Sequence, residues 1–143
     1  MTKSDTRAPL LRRHAALEKL VRKYRGKPCD FESADCIRMI RALLVSLGHR
    51  PPKLPRYRSR AGAIRALRRA GFDNVEQLLD SLLLTRIPPA AMLPGDIAVM
   101  DDEDGIGAAV VLIDHKVMGW HQDHAECVMI IPHQLRAAWR VLD

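Results

Sequence analysis

The stretch that decides the fold is Asp35-Cys36-Ile37-Arg38-Met39-Ile40-Arg41-Ala42-Leu43-Leu44-Val45-Ser46-Leu47-Gly48. Ile37, Ile40, Leu43, Leu44 and Leu47 recur at helical spacing and Gly48 stops the run, so the spacing predicts an amphipathic helix beginning at Cys36. Phe31-Glu32-Ser33-Ala34 before it reads as a loop. Cys36 then falls in a first helical turn, where unpaired N–H groups and the helix dipole favour a thiolate. This is the setting of a cysteine nucleophile.

Working outward, Pro9 fits a first helical position. Leu10, Leu17, Leu20, Val21 and Tyr24 mark the core face of a first helix, with Arg12, Arg13, Lys19, Arg22, Lys23 and Arg25 on the other. Residues 1–8 read as a flexible tail. Residues 50–58, Arg-Pro-Pro-Lys-Leu-Pro-Arg-Tyr-Arg, hold three prolines and read as an extended basic surface arm. Ser59 caps a third helix, and Asp73 with Glu76 reads as a capping box for a fourth, with Val75, Leu78, Leu79, Leu82 and Leu83 on its core face. From the turn Leu93-Pro94-Gly95-Asp96 onward the chain turns to strands: 97–100, 106–113, 117–121 and 127–131, then a helical turn over 132–137 and a closing strand from Ala138. Helices followed by antiparallel strands make an α+β chain, expected as one domain over 9–143 with a helical half (9–87) and a sheet half (93–142).

The 143 residues carry a net charge of +6, unevenly spread. Residues 1–72 hold 19 of the 23 Lys+Arg and 5 of the 17 Asp+Glu, a net of +14; the rest of the chain nets −8. The split suggests an acidic partner for the first half, or head-to-tail contact between copies. No apolar stretch reaches the ~20 residues that cross a bilayer, and the charged N-terminus lacks a signal-peptide pattern, so synthesis and assembly in the cytosol are expected. Cys29, Cys36 and Cys127 form no disulfide framework and no CxxC pair.

A helix headed by Asp35-Cys36, then the Pro94-Gly95-Asp96 turn, then a small antiparallel sheet resembles the NlpC-type cell-wall peptidases of the papain-like fold. The closer resemblance, over residues 12–142, is to a branch encoded in the tail-gene clusters of tailed phages and prophages. It is carried by Tyr57-Arg58-Ser59-Arg60-Ala61-Gly62-Ala63, the Pro-Gly-Asp turn and the terminal Ala138-Trp139-Arg140-Val141. The resemblance implies a cysteine nucleophile at Cys36, a histidine base opening the strand after the Pro-Gly-Asp strand, and a third polar residue orienting that base. Here the strand opens with Asp104-Gly105-Ile106-Gly107, and the aromatic-Gly-Gly run before Asp-Cys is also absent. Losing the base removes proton transfer worth roughly 10²–10⁴-fold.

The resulting expectation is a pseudoenzyme: a structural protein of a bacteriophage tail tip or baseplate, located in the virion tail, without a cofactor, in a multi-subunit assembly with other tail proteins. Its partner surface is expected at Arg50, Lys53, Arg56, Tyr57, Arg58, Arg60, Arg65, Arg68 and Arg69. Two alternatives stand beside it. In one, the chain is an active peptidoglycan peptidase or amidase with Cys36 as nucleophile and His121 as base. In the other it binds nucleic acid, although aromatics for base stacking are sparse. A zinc site from Cys36, Cys127, His121 and His124 lacks knuckle spacing. The acidic run 101–104 lacks the alternation of a calcium loop and reads as a solvated turn.

Overall fold

The computed structural model describes residues 7–102, 104–121 and 124–142. Most of the expected 1–8 tail lies outside them. Among the described residues there are four α-helices: α1 (Pro9–Tyr24), α2 (Cys36–Ser46), α3 (Arg60–Arg69) and α4 (Val75–Ser81). They are joined by a six-stranded sheet: β1 (Thr85–Ile87), β2 (Ile97–Met100), β3 (Ala108–Ile113), β4 (Lys116–Gly119), β5 (Val128–Ile130) and β6 (Leu135–Arg140). The sheet order is β1-β6-β2-β3-β4-β5, and every neighbouring pair is antiparallel. The α+β order is therefore as the sequence predicts. No helix among the described residues is long and apolar enough to cross a membrane.

The pleat sorts the sheet residues by parity. Ile97, Val99, Ala109, Val111, Ala137 and Trp139 join the main core with Leu17 and Leu20 of α1 and Met39, Ile40, Leu43 and Leu44 of α2. Ala98, Val110, Val117 and Ala138 form a smaller cluster on the other face, covered in part by Met92, Ile87 and Leu135. Trp139 is the largest fully buried side chain. Its indole N–H donates to Asp80 Oδ1 at 2.9 Å, and the Arg86 guanidinium lies 5.0 Å above its ring, so α4, β1 and β6 meet at this residue.

Several local expectations are corrected. β1 lies inside the stretch expected as the helical half (9–87), yet it pairs with β6, which a three-residue strand cannot announce from sequence alone. Residues 132–137 do not form a helical turn: β6 already begins at Leu135. The cap of α4 sits one residue later than the Asp73–Glu76 box, because Asn74 accepts the Gln77 N–H and Gln77 Oε1 accepts the Asp73 N–H. Leu83 is 94% exposed with φ +62°, since α4 ends before it, and Leu10 is 68% exposed at the start of α1. Arg13, placed by periodicity on the solvent face of α1, is 3% exposed.

Arg13 is buried because Asp96 waits for it. Its Nη1 donates to Asp96 Oδ1 at 2.9 Å and to the Pro94 carbonyl at 2.8 Å, and its Nη2 donates to the Leu142 carbonyl. Asp96, fully buried, also accepts the N–H of Leu93 and of Val141. Gly95 takes φ +95°, the left-handed conformation that suits glycine, and so lets the turn fold back onto β3, where Gly95 N–H meets the Leu112 carbonyl at 2.8 Å. Removing one partner of a buried pair leaves the other charge uncompensated, at about 3–5 kcal/mol. Asp96→Ala is expected to lose stability of that order in urea unfolding; a loss typical of a surface substitution, within about 0.5 kcal/mol, would contradict this assignment.

Candidate functional site

The site is built around the N-terminus of α2. Asp30 shapes the loop before it, accepting the Glu32 N–H and the Ser33 hydroxyl, while the Ala34 N–H closes onto the Asp30 carbonyl. Those hydrogen bonds hold the Asp30 carboxyl below its ordinary range. Asp35, almost wholly buried, then does three things. It caps α2 through the Arg38 N–H, pairs with the Arg38 guanidinium, and accepts the Tyr57 hydroxyl at 2.6 Å. The Arg38 guanidinium carbon lies 4.6 Å from the centre of the Tyr57 ring.

Cys36 follows immediately and is half-buried. Its thiol is not activated. Burial pushes it up to about 12; a hydrogen bond with the Ala109 backbone pulls the other way, and the Asp35 charge adds to the rise. The thiolate expected from helix geometry alone is thus overruled. The capping N–H goes to Asp35 rather than to sulfur, and Asp35 brings a negative charge beside it. The other charged or ionisable groups that act on the sulfur are Cys29 and Arg60; no imidazole is among them.

Within Asp104-Gly105-Ile106-Gly107, where the resemblance puts a histidine, Gly105 faces open space and Gly107 is hemmed in. Gly107 immediately precedes β3. Gly107 has φ +91°, and a Cβ there would lie 2.5 Å from Arg136 Nη2 and 2.6 Å from Val99 Cγ1. No side chain fits that position unless both neighbours move.

His121 lines a different cavity of about 530 Å³, together with Cys29, Asp101, Asp104, His124 and His133. Cys36 is not part of that lining. Burial pushes the His121 imidazole down, a backbone hydrogen bond with Val128 opposes this, and the charges of His124 and His133 add to the lowering. Among the described residues no three His, Cys, Asp or Glu side chains group as metal ligands. Cys127 is buried beside residues 26–29, whose backbone pairs with 125–127, and burial pushes its thiol up to about 11.

The basic arm is not free. Leu54 packs against the core, and Tyr57 is 8% exposed with its hydroxyl spent on Asp35, so it cannot serve as an exposed partner contact. Arg60 is committed to Asp102 and Asp104, which also corrects the reading of that acidic run as a merely solvated turn. Arg50, Lys53, Arg56, Arg58, Arg65, Arg68 and Arg69 remain exposed. The internal role of Tyr57 could not be found by spacing, because Asp35 lies 22 positions away. The one hint was a lone aromatic inside a basic, proline-rich stretch.

A family model described as "Domain of unknown function (DUF6950)" matches residues 10–141, and the chain belongs to that family. No curated protein matches it. Among solved structures, the peptidoglycan hydrolase RipB from Mycobacterium tuberculosis is similar in fold. The TM-score is 0.56 at 13% sequence identity, over 99% of this chain and 74% of that one. At that identity the likeness concerns the fold.

Native protein treated with iodoacetamide is expected to be alkylated at exposed Cys29, with Cys36 and Cys127 modified only after unfolding; peptide mass spectrometry reads the order. Stability should also fall at alkaline pH. Cys36 and Tyr57 are both held protonated by burial, Tyr57 further by its bond to Asp35. A group whose folded pKa is raised stabilises fully below its unfolded value, ~8.5 for a free thiol, and loses that contribution as pH climbs through the folded one. Unfolding free energy should therefore decline from about pH 8.5 toward 12, and less steeply in Cys36→Ala. Tyr57→Phe removes one hydrogen bond to a buried carboxylate and should cost about 1–3 kcal/mol in urea unfolding; a neutral result would show that the arm is held by its apolar contacts alone.

Proposed function

We propose that this chain is a structural protein of a tailed-phage tail tip or baseplate, built on a degenerate NlpC-type cysteine-peptidase fold that no longer hydrolyses its substrate. One observation carries the loss of hydrolysis. The residues that open β3, Asp104 to Gly107, include no histidine, His121 lines a cavity that Cys36 does not, and burial pushes the Cys36 thiol up to about 12. A thiol in that state is protonated at neutral pH and lacks the ion-pair activation that makes cysteine a nucleophile.

The fold likeness to a peptidoglycan hydrolase supports descent from such an enzyme. The tail context comes from the sequence resemblance over residues 12–142. The exposed cations Arg50, Lys53, Arg56 and Arg58, laid along a stiff proline-rich segment, supply the surface that meets other tail proteins. The site of action is then the virion tail, after assembly in the host cytoplasm.

Two measurements test this. Purified sacculi incubated with the protein should release no soluble fragments, and Cys36→Ala should leave that unchanged; digestion that vanishes in Cys36→Ala would establish the active-peptidase reading, with His121 next to be tested as base. Arg56→Glu with Arg58→Glu should block incorporation into particles, and normal tails from the double variant would contradict the assembly role.

A further inference from the structure

The internal ion pairs use up the two halves of the chain unequally. Among the described residues, most acids after residue 72 already have partners: Glu76 and Asp101 hold Arg136, Asp80 holds Arg86, Asp96 holds Arg13, and Asp102 and Asp104 hold Arg60. By contrast, Lys19, Lys23, Arg41, Lys53, Arg56 and Arg58 make no ion pair among the described residues. A second copy offers few unpaired acids among its described residues, which disfavours head-to-tail self-association and favours a complement from another molecule.

Those six cations converge. A cavity of about 380 Å³ between α1 and the outer side of α2 is bordered by Lys19, Lys23, Arg38 and Arg41. A second, of about 480 Å³ between α2 and the arm, is bordered by Arg38, Arg41, Lys53, Arg56 and Arg58. Arg38 and Arg41 line both, so the two are lobes of one groove. Glu32 is the one acid on its walls. Arg38 is fixed by Asp35 and the Phe31 carbonyl, whereas Arg41 Nε is covered and has no hydrogen-bond partner. A carboxylate entering the groove would meet the rest of the Arg41 guanidinium and the neighbouring cations with charge-assisted geometry.

The floor is apolar. Leu20, Ala42 and Val45 line one lobe, Ile37 and Leu54 the other. Its two aromatic residues offer no stacking platform, because Tyr24 is 2% exposed and Tyr57 8%. Cationic walls over an aliphatic floor fit a chain with carboxylates and aliphatic side chains better than they fit stacked bases. We infer that this groove across α2 is the docking site for an acidic peptide segment with interspersed apolar side chains, contributed by another protein. The inference rests on the assembly reading above for the origin of that segment, and extends the partner surface from the arm onto α2 and α1.

The probe is a fluorescein-labelled synthetic peptide of Glu-Asp-Leu-Gly repeats, titrated with the full chain and followed by anisotropy. Lys19→Glu with Lys23→Glu, on exposed helix positions, and separately Arg41→Ala should each weaken binding about tenfold, as should replacing Leu by Gly in the peptide. The same charge change at exposed Arg25 and Lys27, which line neither lobe, should leave affinity within about twofold. Thermal melts confirm that each variant is folded, and the Lys19/Lys23 pair carries the test should Arg41→Ala unfold. Equal binding by the groove variants, by the leucine-free peptide or by single-stranded oligothymidylate would reduce the groove to non-specific charge and overturn the inference. Sacculus digestion dependent on Cys36 would instead sink the non-hydrolytic reading and leave these affinities as they are, so the two failures are told apart.

Discussion

The buried pair of Arg13 and Asp96 is the constraint on which the rest of the structure depends. It joins α1, the turn that opens the sheet, and the end of β6 in a single hydrogen-bonded knot. Two charges out of water are tolerated only when their donors and acceptors are filled, and here three carbonyl or carboxylate oxygens meet the Arg13 guanidinium, while two backbone N–H groups and the Arg140 guanidinium, 3.3 Å from Oδ2, complete the carboxylate. With α1 fixed to the sheet, α2 is packed between them. Its Met39, Ile40, Leu43 and Leu44 are buried in the same core as Val99, Val111 and Trp139.

That placement determines what becomes of Cys36. The residue sits where helix N–H groups could stabilise a thiolate, yet Asp35 takes the cap, holds Arg38 and anchors Tyr57. The carboxylate that orders the helix start and the arm is the one whose charge, after burial itself, opposes ionisation of the sulfur. Local order and chemical reactivity compete for the same donors, and order has won. Just before β3, Gly107 leaves room for Arg136 to reach Glu76 and Asp101.

Much of this was legible in the residues, and the failures have physical causes. Long periodic runs with clear stops, Cys36–Ser46 and Arg60–Arg69, were found because burial and capping agree there. The cap at Ser59 and the strand Ile97–Met100 were found for the same reason. Arg13 was misplaced because amphipathic patterning assigns charge to solvent and cannot see an acid 83 positions away. Strand β1 was missed because three residues carry no period of their own; β6 creates it by pairing. For the site, the sequence located the sulfur but not its state, which depends on desolvation by β3 and on the direction Asp35 faces. Tyr57 and Arg60 read as outward-facing because their acidic partners, Asp35 and Asp102 with Asp104, lie far along the chain.

The central claim is that the Cys36 sulfur is a neutral thiol embedded in the fold. Thiolate absorbance of the native Cys29→Ser, Cys127→Ala variant, titrated with pH, reads that state directly. An apparent pKa near 12 is expected; a midpoint at or below the free-thiol value of ~8.5 would contradict a neutral, embedded thiol.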